Sequence, residues 1–80
     1  MNKLEKIVKA VVSRLVDGRC VLTLKNSGRQ LEVVYVFDKM QGKSYWVVFD
    51  LTEEETCGRP IEYDMELAVY ILQKSADHEM

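Results

Sequence analysis

Only one proline, one histidine and two cysteines occur among the 80 residues, and no apolar run approaches the ~18 to 20 residues of a membrane span. Each scarcity excludes something. With four glycines beside that single proline, the chain lacks the composition of a linker or a disordered tail, so folding throughout is expected. Cys20 and Cys57 do not form a Cys-x-x-Cys pair and neither stands near His78, so no zinc site or dithiol redox site is spelled out. Buried thiols are the plain expectation, with Cys57, beside Gly58, the more exposed candidate. His78 falls in the terminal Ala-Asp-His-Glu-Met and receives no role. Lys3, Glu5, Lys6, Lys9 and Arg14 interrupt the apolar core of about 7 to 15 residues that a secretory signal requires, so a cytoplasmic protein is expected.

Catalysis is poorly served as well. The carboxylates lie without a histidine or lysine arranged to tune them, and no nucleophile has a visible base. A chain of this length holds one domain, residues 1–80, and buries too small a share of its surface to spare room for a large cavity. The expectation is a non-enzyme without cofactor or metal.

What the chain does contain centres on Leu31–Leu51, where two apolar runs flank a short break at Met40-Gln41-Gly42. Before it, Leu4, Ile7, Val8, Val11, Val12 and Leu15 recur at three- and four-residue steps, which predicts a helix over 3–16. Asn2 and Glu5 have capping-box spacing, and Gly18 supplies a left-handed stop. Cys20, Leu22 and Leu24 alternate with polar or smaller residues as in a strand. After the break, Asp64 is the natural N-cap of a second helix over 65–76. Helix, three antiparallel strands and helix give an α+β meander, αβββα.

A two-residue turn at Ser27-Gly28 sets Leu24 against Leu31, Leu22 against Val33 and Cys20 against Tyr35. A three-residue loop at 40–42 sets Val36 against Trp46 and Val34 against Val48. In this register Cys20, Leu22, Leu24, Leu31, Val33, Tyr35, Phe37, Tyr45, Val47, Phe49 and Leu51 form the core face. The other face holds Val21, Val34, Val36, Trp46 and Val48, ringed by Lys25, Glu32, Asp38, Ser44 and Asp50. Such a patch has three explanations: helices on opposite sides of the sheet, a homodimer interface, or a foreign protein anchored on Trp46.

Charge offers a second surface. Residues 1–40 carry eight Lys/Arg against four Asp/Glu, whereas residues 41–80 carry three against nine. Asp50, Glu53, Glu54, Glu55, Glu62, Asp64 and Glu66 follow one another closely; three adjacent glutamates more often mark a solvated loop, but a converging set steers a protein onto a basic partner. Small acidic inhibitors of nucleic-acid machinery, phage-encoded antagonists of host defence among them, are comparable in size and charge. The element order resembles that of double-stranded-RNA-binding domains, which carry a basic cluster at the start of the second helix and a glycine-proline-histidine loop between the first strands. Here those positions read Glu62, Asp64 and Glu66, and Asn26-Ser27-Gly28, so the resemblance is one of topology. The leading expectation is therefore a protein-binding module for a basic protein partner, a homodimer or both, with no membrane role. The alternative is an RNA- or DNA-binding domain using Lys6, Lys9, Arg19, Lys25 and Arg29.

Overall fold

The computed structural model describes residues 2–25, 27–56 and 60–76. Cys57 and His78 lie outside them. Helix α1 spans Lys3–Arg14, and Asn2 caps it by accepting a hydrogen bond from the Glu5 N–H at 2.8 Å. Strands β1 (Arg19–Thr23), β2 (Gln30–Asp38) and β3 (Lys43–Asp50) form the expected antiparallel meander, and helix α2 runs over Asp64–Ala76. A two-residue strand, β4 (Glu55–Thr56), adds to the outer edge of β3.

α1 stops two residues before the expected boundary because the chain must reverse at once into β1. Val16 and Arg19 exchange backbone hydrogen bonds of 2.9 and 3.2 Å around Asp17 and Gly18, whose φ angles are 54° and 78°. Positive φ at both central residues is the requirement of a type I′ hairpin turn, which Asp-Gly meets. Gly18 has a second duty: its carbonyl accepts the Tyr35 N–H at 2.7 Å, and a Cβ there would sit 3.2 Å from the Tyr35 oxygen.

Both helices cover one face of the sheet. Val11 of α1 and Leu67 and Ile71 of α2 pack with Cys20, Leu22, Leu31, Val33, Trp46 and Val48, and with Ile61 from the segment before α2. Ile7, Leu15, Leu24 and Tyr70 close the margins of this core. The arrangement with helices on opposite sides is thereby excluded, and neither α1 nor α2 covers the far face of the sheet.

Two registers differ from expectation. In the first hairpin Cys20 faces Val33 and Leu22 faces Leu31, a two-residue shift caused by a longer connection that Leu24 and Arg29 close. An even shift leaves every side chain on its expected face. In the second hairpin Val33 faces Val48, Tyr35 faces Trp46 and Asp38 faces Lys43, a shift of one. The loop contains four residues, 39–42, because Asp38 joins the turn: its Oδ1 accepts the N–H groups of Met40 and Gln41 at 3.0 and 3.3 Å. The Asp38 carbonyl accepts from Gly42, which has φ 65°. That one extra loop residue turns β3 over. Trp46, Val48 and Asp50 enter the core, and Tyr45, Val47 and Phe49 go to the uncovered face.

Candidate functional site

Side-chain alternation along three paired strands builds the uncovered face row by row. Val36 lies beside Tyr45; the next row is Arg19, Val34 and Val47; the next is Val21, Glu32 and Phe49. Val34, Val36, Tyr45, Val47 and Phe49 are each half-buried, shaded by their neighbours, and Val21 on the short edge strand is more open. Tyr45, Val47 and Phe49 were expected in the core. The signal that places them here is Asp38, whose side chain at the start of a turn favours the longer loop. Val34 and Val36 stand where the sequence put them, whereas Trp46 and Val48 are buried under the helices.

Charge on this face is balanced. Arg19 and Lys43 balance Glu32 and Asp38; Lys43 and Asp38 face each other at one end of the apolar block, and Arg19 and Glu32 stand in adjoining rows toward the other. Glu32 is half-buried between Val21 and Phe49, and it makes no ion pair with a described residue.

The acidic set does not form one surface. Asp50 is 1% exposed and sits at the inner end of β3. Its Oδ2 accepts from Arg29 Nη1 at 2.8 Å and lies 3.8 Å from Lys74 Nζ, while its Oδ1 accepts the N–H groups of Thr52 and Glu53 at 3.0 Å each. One carboxylate thus joins the start of β2, the end of β3, the following turn and the last turn of α2. Burial by itself pushes the Asp50 carboxyl up, but the Glu53 N–H, the Arg29 hydrogen bond, the Thr52 N–H and the Arg29 charge together outweigh it, and the net displacement is downward.

The remaining members lie in the turn after β3, in β4, before α2 and in its first turn. Glu53 stands 3.2 Å from the same Arg29, and Glu54 occupies a left-handed turn position at φ 58°. Glu55 pairs with Asp50 through the backbone in β4. Glu62 is exposed, and Glu66 is half-buried on α2. Asp64 accepts the Trp46 Nε1–H at 3.0 Å, which fixes the first turn of α2 to the sheet. Two of the seven carboxylates, Asp50 and Asp64, therefore hold the fold together.

Trp46, the expected anchor for a partner, is instead 3% exposed. Its ring packs on Tyr35 with centroids 4.6 Å apart, and its backbone exchanges two 2.8 Å hydrogen bonds with Ile61. The basic set proposed for nucleic acid is similarly divided. Lys6 and Lys9 are exposed on α1, Arg19 lies on the uncovered sheet face, and Arg29 is engaged with Asp50.

Among the described residues no cluster of histidine, cysteine and carboxylate side chains could hold a metal ion, and no helix is long and apolar enough to cross a membrane. The Cys20 thiol is buried and points at the Val11 carbonyl at 4.0 Å. Burial pushes its pKa up against a smaller lowering from Arg14. Comparison of the chain with protein-family models, with curated proteins and with solved structures finds no match.

Proposed function

We propose that the chain is a small, non-catalytic, cytoplasmic protein-binding module that docks the uncovered sheet face against an apolar protein surface of little net charge. The observation that carries this reading is the six-residue block Val21, Val34, Val36, Tyr45, Val47 and Phe49 on a face that neither helix covers. Soluble proteins rarely leave such a block without use, and an apolar centre with charges at its margin has the layout of an interface. A basic partner finds less support than the sequence suggested, because Asp50 is buried and neutralised and Asp64 is bonded to Trp46. Nucleic acid finds less again, since the face offers two cations and two anions where phosphates require an excess of cations. A cytoplasmic location is consistent with the charged first helix and the unpaired Cys20 thiol.

The test is Val47→Lys. A lysine at the centre of an unused, solvent-facing sheet leaves the domain folded at a cost under about 1 kcal/mol and removes binding of an apolar-surface dye to the dilute protein. Loss of about 3 kcal/mol or more would show Val47 to be core and refute the reading.

A further inference from the structure

We infer that the surface received by the uncovered face is that of a second copy of this chain, related by a two-fold axis, with Arg19 of each copy set against Glu32 of the other. This rests on the docking reading above and goes further by naming the partner.

Three observations lead to it. The first is Glu32 itself, a carboxylate half-buried within an apolar block and lacking an ion-pair partner among the described residues. Bringing any apolar surface onto it completes its burial, which is costly for a charge unless the incoming surface supplies a cation at that place. The second is Arg19, which stands in the adjoining row one strand away, exposed and likewise without an ion-pair partner among the described residues. In a two-fold interface residue i meets residue j while j meets i, so an unpaired anion and an unpaired cation side by side on one face are sufficient to satisfy both copies. A foreign partner must bring its own matching pair; a second copy already has it.

The third is shape. β-branched valines at Val21, Val34, Val36 and Val47 make the face shallow and regular, as suits two sheets packed about 10 Å apart, with the helix layers on the outside. Three strands of five, nine and eight residues, about 4.8 Å apart and rising about 3.4 Å per residue, cover about 350 Å² in projection. Standard interfaces bury about 800 Å² per partner, so the pair belongs at the weak, concentration-dependent end.

Sedimentation velocity on the full chain, from micromolar to near-millimolar concentration, tests this. The wild type should move from monomer to dimer mass. Arg19→Glu and Glu32→Arg should each weaken association by about tenfold or more, and the double reversal should restore it to within about threefold of wild type. Far-ultraviolet circular dichroism confirms that each variant is folded, and neither residue belongs to the core. A wild type that stays monomeric throughout overturns the second copy as partner. If that monomer still binds an apolar-surface dye and Val47→Lys does not, the docking face survives with a different occupant. Dimerisation that persists unchanged in both single reversals also overturns the proposed pairing.

Discussion

Replacing Asp50 with asparagine keeps the shape of the side chain and removes its charge, which isolates what the buried carboxylate does. Asparagine can still accept the Thr52 and Glu53 N–H groups through Oδ1, so the turn after β3 is retained. Its amide must then face Arg29 Nη1, now 2.8 Å from the carboxylate oxygen it replaces, donor against donor. A hydrogen bond between charged groups contributes about 1.5–3 kcal/mol. The more distant Lys74 pair adds at most about 1 kcal/mol. The Arg29 and Lys74 side chains are 17% and 16% exposed, so both cations can turn partly to water, which limits the penalty for leaving them unpaired. The expected loss is about 2–4 kcal/mol, a large part of the roughly 4–12 kcal/mol that a domain of this size possesses. Urea unfolding followed by circular dichroism measures it, with an unchanged slope and a midpoint lowered by about 2 M or more. The same variant carries a pH signature. Because the folded carboxyl titrates below its unfolded value, its contribution is present above the ordinary aspartate range near pH ~3.9 and is lost as pH falls through the depressed folded value. Wild type should therefore lose stability steeply in acid, and Asp50→Asn should show a flatter acid limb. A loss below about 0.5 kcal/mol, with the acid limb unaltered, would refute the account of Asp50 as the junction of four segments.

Two further substitutions follow from the backbone and the core. Glu54→Gly relieves a left-handed position that costs a side chain about 1–2 kcal/mol, and after the entropy glycine adds to the unfolded chain it should stabilise by about 0.5 kcal/mol; a lower melting temperature would contradict the turn assignment. Trp46→Ala should cost about 3–5 kcal/mol in urea unfolding, whereas a loss below about 1 kcal/mol would place the ring outside the core.

The limits of the sequence follow from the same residues. Helix α1, its Asn2 cap, the meander order and helix α2 were legible because each rests on local spacing: a 3.6-residue stripe, a capping residue, runs bounded by turns. The facing of β3 was not. Both alternating sets of that strand are apolar, Tyr45, Val47 and Phe49 on one side and Trp46 and Val48 on the other, so hydrophobicity gives no preference between them. The choice falls to a single hydrogen-bonded turn at Asp38. The burial of Asp50 was hidden for a different reason. Adjacency in sequence says nothing about burial, and Asp50 draws its cations from Arg29 and Lys74, both more than 20 positions away along the chain.

The indole of Trp46 is the only one in the protein. It meets Tyr35 across the hairpin, Ile61 through the backbone and Asp64 at the first turn of α2, so its surroundings exist only when hairpin, bridging segment and helix have come together. Its emission spectrum is therefore an internal gauge of assembly. Blue emission certifies that α2 is seated on the sheet, and a red shift without loss of helical dichroism would reveal an intermediate in which the helix exists but has not docked. Without any added label, the molecule reports on the step that separates a folded chain from a collapsed one.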